Sequence, residues 1–202
     1  MNVLIAMRIL LVNVSAAALW GLFAFSHYAR FQESNDFYLL LVVFSETWLA
    51  LMFILRRAQT SKSTSPLEWV VAVGGTFLPL LLRPSIQGLA PDLGSIAITL
   101  GVCIQIAGAL VLNGSFGIVP ANRGVRTQGV YRVIRHPLYA SYLVTLSGYL
   151  LTNTSLYNFS IVVACLVLML LRVLFEERHL LRDERYRRYA TSVRWRLVPY
   201  VF

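Results

Sequence analysis

Three polar segments interrupt the apolar second half of this chain, and each carries residues able to bind or polarise a ligand. The first runs Gly129-Val130-Tyr131-Arg132-Val133-Ile134-Arg135-His136-Pro137-Leu138-Tyr139. Pro137 suits the first turn of a helix, where its missing N–H would have no partner in any case. His136 then falls at the N-cap. A helix begins there with free N–H groups and a partial positive charge, which favour an anion such as a carboxylate. Gly129 permits a backbone turn or a close approach to a ligand. A purely interfacial role also accounts for the segment, with arginines on lipid headgroups and tyrosines at the membrane boundary.

The second segment is Glu176-Glu177, two of only nine acidic residues. They stand where an apolar run ends, with Arg172, Arg178 and His179 at helical spacing. They are either salt-bridged interface residues or carboxylates for a cationic ligand or for ligand hydroxyls. The third, Val193-Arg194-Trp195-Arg196-Leu197-Val198-Pro199, either lies on the membrane or folds back over a pocket. Glu46 sits inside an apolar run, where an ionisable residue is functional by default. The competing reading pairs it with Ser45, Thr47 or a polar residue of another helix. Asn13, His27 and Asn113 read as structural or interfacial. Cys103 and Cys165 lie in apolar runs without metal-ligand spacing, and no metal site is expected.

The elements that position these groups are apolar runs. A membrane-spanning helix needs about 20 predominantly apolar residues. Candidate spans are Val3–Tyr28, Phe37–Leu55, Leu67–Leu82, Leu93–Leu112, Leu138–Leu151 and Leu156–Phe175. The third and fifth are short. The fifth and sixth meet at Thr152-Asn153-Thr154-Ser155 and predict a helical hairpin. The first run exceeds the 7–15 residues of a signal-peptide core, which predicts a retained helix. Pro66 closes a polar loop and suits a helix start. Glu176 to Tyr189 is expected to continue the sixth helix out of the membrane as a charged, amphipathic helix.

Loop charges orient the chain, because cytoplasmic loops are rich in Lys and Arg. Arg56, Arg57 and Lys62 follow the second run, and Arg123, Arg126, Arg132 and Arg135 follow the fourth. Eight arginines lie from Arg172 onward, whereas Arg30 and Arg83 stand alone on the opposite side. Both termini are therefore expected in the cytoplasm, with about six spans. The totals agree: of 202 residues 57% are hydrophobic and only 13% charged, against about a quarter charged in soluble domains. Mean hydropathy is +0.66. The net charge of +9 would suggest nucleic acid in a soluble protein, but here it sits in short loops, where anionic lipid headgroups are the expected partner. No G-x-G-x-x-G after a strand, Walker sequence or H-E-x-x-H is present, so a nucleotide-like cofactor would not use a Rossmann domain.

Taken together, Gly129-x-Tyr131-x-x-x-Arg135-His136-Pro137-x-Tyr139, Glu176-Glu177, Tyr186-x-x-Tyr189 and Arg196-Leu197-Val198-Pro199 resemble the isoprenylcysteine carboxyl methyltransferase family, which is related to the membrane phospholipid N-methyltransferases. The resemblance covers roughly residues 95–202. It implies a small, all-α polytopic enzyme that uses S-adenosylmethionine at the cytosolic face and admits a lipophilic or lipid-linked substrate from the bilayer. Residues 1–92 would be N-terminal spans without a motif, and 93–202 the catalytic region. Carried over, Gly129, Val130, Tyr131, Arg135, His136, Pro137 and Tyr139 would wrap the cofactor. Glu176 and Glu177 would hold its ribose hydroxyls or its cationic portion. Tyr186, Tyr189 and Arg196 would close the pocket, with Arg135, Arg196 and Glu177 as the catalytic set and either arginine free to bind a substrate carboxylate. Two departures, Ser141 in place of a frequent glycine and Asp183-Glu184-Arg185 in place of a frequent Phe-Gly, point to a bacterial or archaeal inner-membrane branch with another acceptor. Carboxylate O-methylation leads and lipid-amine N-methylation follows. The alternatives are an NADPH-dependent sterol-reductase-like enzyme and a non-enzymatic scaffold or transporter, for which Glu46 is the main support.

Overall fold

The computed structural model describes residues 3–35, 37–55, 61–62, 64–85, 88–112, 115, 121–122 and 124–202. Arg56, Arg57, Asn113 and Arg123, named above, lie outside them. The chain divides into two compact units, Met1–Ala58 with Leu112–Phe116, and Gln59–Val111 with Gly117–Phe202.

The first unit is a pair of helices, α1 (Val3–Ser34) and α2 (Tyr38–Ile54). Leu49, Met52 and Phe53 are buried, and Trp20 packs on Phe53 with ring centroids 5.3 Å apart. Leu10, Leu11, Leu22 and Phe25 point outward, as apolar side chains do when lipid is the solvent. Glu46 meets His27 across the pair, Nδ1 to Oε2 2.9 Å. The buried-carboxylate argument for transport therefore has a local explanation, an interhelical polar pair.

The second unit holds α3 (Pro66–Phe77), α4 (Pro91–Leu112) up to Val111, α5 (Pro137–Thr152), α6 (Leu156–Leu180) and α7 (Glu184–Ser192). A two-residue antiparallel bridge pairs β1 (Ser61–Lys62) with β2 (Ala121–Asn122). Pro66 opens α3 as its spacing predicts. Pro79, which has no N–H to give, stands where α3 passes into a 3-10 turn over Leu78–Leu81. Among the described residues three helical stretches are long and apolar enough to cross a membrane, Leu10–Glu33, Pro91–Leu112 and Leu156–Leu180. Leu39–Ile54 and Pro66–Leu81 are shorter apolar helices. α5, with 16 residues, is about 24 Å long against a hydrocarbon core of about 30 Å. The protein is an all-α membrane protein whose helices differ in reach.

Two devices fix α5, the helix that carries the first polar segment. Along α4, Gly94, Gly101 and Gly108 recur every seven residues and so share one face. That face lies against α5. A Cβ at Gly94 would come within 2.7 Å of the Gly148 carbonyl oxygen, and one at Gly101 within 3.0 Å of the Ser141 carbonyl oxygen. In return, a Cβ at Gly148 would stand 2.7 Å from the Gly94 oxygen. Backbone this close needs small residues, the usual solution where lipid removes the hydrophobic drive between helices. Ser141 is fully buried, with its hydroxyl donated to the Leu138 carbonyl at 2.7 Å, so this departure from a glycine is locally satisfied.

The second device is Asn158, fully buried in the first turn of α6. Ser155 caps that helix by accepting from the Asn158 N–H. The Asn158 amide accepts from the Arg83 N–H at 3.1 Å and donates to the Arg83 and Asn153 carbonyls, each at 2.8 Å. The Ser85 N–H reaches Asn153 Oδ1 at 3.0 Å. The segment after α3 is thus tied to the α5–α6 turn. Asn158→Leu leaves these backbone groups unpaired and is expected to cost about 3 kcal/mol, read as a lower thermal midpoint in detergent. An unchanged midpoint would refute the clamp.

The continuous charged helix expected over Glu176–Tyr189 is broken. α6 ends at Leu180, and Asp183 starts α7 by accepting from the Arg185 N–H at 2.8 Å. An Asp N-cap satisfies donors that a through-helix would bond internally. Asp183 also accepts from the Asn122 side-chain amide at 2.6 Å. These bonds hold its carboxyl below the usual carboxylate range, even though partial burial works against them.

Candidate functional site

The break in the helix brings Tyr186 to Glu177. In one straight helix, residues nine apart are about 13.5 Å apart along the axis and on opposite faces. Here the Tyr186 hydroxyl donates to Glu177 Oε1 at 2.5 Å. His136 Nε2 lies 2.7 Å from the same oxygen. Arg135 reaches Glu177 Oε2 at 3.1 Å and Arg196 Nε stands 3.5 Å from it. Glu177 is only 3% exposed. All three polar segments therefore converge on one enclosed carboxylate.

Each partner is held by its own element. Pro137 is the first residue of α5 and His136 its N-cap. The N–H groups of Arg135 and His136 donate to the Trp195 and Arg196 carbonyls, both at 2.9 Å. Main-chain bonds thus seat the tail across the start of α5. The tail curls on itself, since a Phe202 oxygen accepts from the Arg196, Leu197 and Val198 N–H groups. Arg196 stacks over the Phe202 ring at 4.9 Å. Beneath lies an apolar core of Ile134, Ala140, Met169, Val173 and Leu197.

Glu176 faces a neighbouring group. Its Oε2 accepts from the Tyr139 hydroxyl at 2.8 Å. The Arg172 guanidinium lies 5.3 Å over the Tyr139 ring and donates to Thr76 Oγ1 at 3.2 Å. The Tyr189 hydroxyl donates to the Tyr131 carbonyl at 2.6 Å, pinning α7 to the turn before α5. Burial, then the Glu177 charge, pushes the Tyr186 phenol above its ordinary value, so it remains a neutral donor. Burial likewise raises Tyr189, to about 12. Burial and the Glu176 charge raise Tyr131. Tyr186→Phe removes a donor to a charged acceptor and is expected to cost about 2 kcal/mol. A thermal midpoint equal to that of the unaltered protein would show the bond to be idle.

The expected site residues divide into groups. Arg135, His136, Glu177, Tyr186 and Arg196 form the cluster, Tyr139 and Glu176 adjoin it, and Tyr131 and Tyr189 brace it. Gly129 and Val130 sit in a 3-10 turn, Gly129–Arg132. Gly129 has φ +55°, and a Cβ there would meet Val111 Cγ2 at 2.9 Å. The Val130 carbonyl accepts from the Val133 N–H at 3.1 Å. Turn and packing account for both residues here. Arg172, Thr76 and Asn122 were not singled out as site residues. For Arg172 the signal is its i,i+4 spacing to Glu176; the other two have none.

The donor set suits a ligand carrying both an anion and hydroxyl or cationic groups. Both arginines pair with Glu177 Oε2, through Arg135 Nη1 and Arg196 Nε, yet among the described residues that oxygen and the Nε atoms of Arg135 and Arg196 make no well-directed hydrogen bond. Among the described residues no cluster of His, Cys, Asp and Glu could hold a metal. No curated protein matches the chain. A family model described as phospholipid methyltransferase matches residues 92–187, a stretch that includes α4, α5, α6 and Tyr186 but stops short of Tyr189 and Arg196. The match spans the helices that gather Arg135, His136, Glu176 and Glu177, so this stretch of the chain is similar to the phospholipid methyltransferase family.

Proposed function

We propose that the protein transfers a methyl group from S-adenosylmethionine to a lipophilic acceptor in the membrane, and that the acceptor atom is a carboxylate oxygen. The convergence of the three polar segments on Glu177, the first two of them within the stretch similar to a methyltransferase family, supports this reading. The arginine-rich loops support a site on the cytosolic side, with both termini there. Bound S-adenosylmethionine supplies a methyl group already activated by its positive sulfonium.

The residues of the chain then bind, align and exclude water. Glu176 and Glu177 receive the cofactor's hydroxyl or cationic groups. Arg135 and Arg196 are the cations available to a carboxylate. Tyr131, Tyr139, Tyr186 and Tyr189, with Pro137 behind His136, wall the site. The carboxylate preference rests on proton bookkeeping. A carboxylate is ionised at neutral pH and needs no base, whereas Glu177 already faces His136, Tyr186 and two arginines and is a poor place to put a proton. Glu176, bonded by Tyr139 and only half-buried, is the observation that keeps amine N-methylation as the second reading.

Calorimetric titration of the detergent-purified protein with S-adenosylhomocysteine tests this. Saturable binding is expected, and Glu176→Gln should weaken it by about tenfold, the worth of one charge-assisted hydrogen bond. No binding to folded protein refutes the cofactor assignment, and saturable NADPH binding in its place supports the reductase alternative. With labelled cofactor and membrane lipid, base-labile label in the product marks a methyl ester and base-stable label an N-methyl group.

A further inference from the structure

A concavity lies outside the Glu177 cluster, and none of its lining residues belongs to that cluster. It encloses about 560 Å³, within the range of about 300–1,000 Å³ usual for small-molecule sites. Its wall combines Arg132 and Val133, from the turn before α5, with Arg194, Trp195, Pro199 and Tyr200, from the tail. The main-chain bonds from Arg135 and His136 to Trp195 and Arg196 hold these two segments together.

Its chemistry is amphiphilic. Arg132 and Arg194 are exposed, and neither has an acidic partner among the described residues. Their neighbours are apolar yet open to the surroundings: Val133, Tyr200 and, beside them, Val201 are all more than half exposed. Trp195 and Tyr200 lie with ring centroids 5.4 Å apart. Tyr200 is held at φ +66°, a left-handed backbone that bulky residues rarely adopt. The Val201 and Phe202 N–H groups that follow it donate to the Val198 carbonyl, at 3.2 and 3.1 Å. Strain of this kind persists where the surroundings over-determine it, often at a ligand site. Two unneutralised guanidinium groups suit a phosphate. The aromatic and aliphatic wall suits the glycerol and upper acyl region of a lipid, where Trp and Tyr collect.

We infer that this concavity binds the headgroup phosphate of one anionic phospholipid, with Arg132 and Arg194 on the phosphate and Trp195 and Tyr200 against the glycerol backbone. The inference is independent of the proposed methyl transfer, since it concerns different side chains and a ligand that does not react.

The test uses the full chain in detergent, titrated with dihexanoyl phosphatidylglycerol and followed by native mass spectrometry. One saturable lipid per chain is expected. Arg132→Gln with Arg194→Gln should weaken it by about 30-fold, at the usual worth of a basic residue near an anionic surface. A control pair, Arg178→Gln with Arg182→Gln, removes the same charge elsewhere and should leave binding within about twofold. Equal losses in both pairs would reduce the effect to diffuse attraction and overturn the site. So would equal affinity for dihexanoyl phosphatidylcholine, and so would inorganic phosphate competing as well as the lipid. Both altered arginines of the site are exposed, and a thermal melt confirms that the variant is folded. S-adenosylhomocysteine binding unchanged in the Arg132/Arg194 variant would show that the two sites are separate.

Discussion

Glu177→Gln is expected to abolish S-adenosylhomocysteine binding and also to lower the thermal midpoint by about 10 °C. The second effect follows from burial. Glu177 is the counter-charge for buried Arg135 and the acceptor for His136 and Tyr186. An amide of the same shape removes that charge and leaves a buried guanidinium uncompensated, at about 3 kcal/mol. At about 3 °C per kcal/mol for a chain of this size, the shift follows. Loss of binding alone in this variant therefore does not separate a ligand contact from a weakened fold. Arg135→Gln added to Glu177→Gln tests whether the weakened fold alone is at fault, because it removes the stranded charge. The double variant should regain part of the lost midpoint yet remain unable to bind. Recovery of binding along with stability would show that Glu177 acts only through the fold.

The other large effect is expected at Gly101. A Cβ there collides with Thr145 Oγ1 and comes within 3.0 Å of the Ser141 carbonyl oxygen and the Thr145 nitrogen. A whole leucine side chain has nowhere to go, because two of these neighbours are backbone. Gly101→Leu should yield no folded protein, while Gly101→Ala should cost about 2 kcal/mol. Thr145 Oγ1 is itself buried without a hydrogen-bond partner among the described residues. Thr145→Ala should therefore relieve part of the Gly101→Ala cost, a rescue that a generic loss of helix stability would not show. Gly21→Leu is the matched control, since a Cβ there meets nothing within 4 Å. If Gly101→Leu folds as well as Gly21→Leu, the close approach of α4 to α5 is wrong.

The start of α5 was readable from the sequence because proline and histidine each carry a local rule. Pro137 has no N–H to lose, and His136 stands where the chain enters the helix. The convergence on Glu177 was readable only through the family's motif, since no periodicity brings residues 135, 177, 186 and 196 together. What misled was the charged stretch after Phe175. Its apolar and aromatic positions suit a continuous helix, yet Asp183 is also a good N-cap, and its bond from Asn122 is a tertiary contact that spacing alone does not show. The third apolar run was judged by its length, and Pro79 then converts its end to a tighter helix. The glycine stripe at 94, 101 and 108 was not singled out in the sequence, although its seven-residue spacing stands there. In an apolar helix such a repeat marks the face that touches a neighbour, and it identifies that neighbour only once the other helix is placed.

The two main-chain bonds from Arg135 and His136 to Trp195 and Arg196 also set an order of events during synthesis. Chains fold from the N-terminus as they emerge. Until residue 196 has been made, the start of α5 lacks the strand-like partner that covers its N–H groups, and Glu177 lacks one of its two arginines. Helices α3 to α6 can settle in the bilayer before that point. The Glu177 cluster cannot, so it is completed only after residue 196 has been made, and a chain halted before residue 195 would lack it.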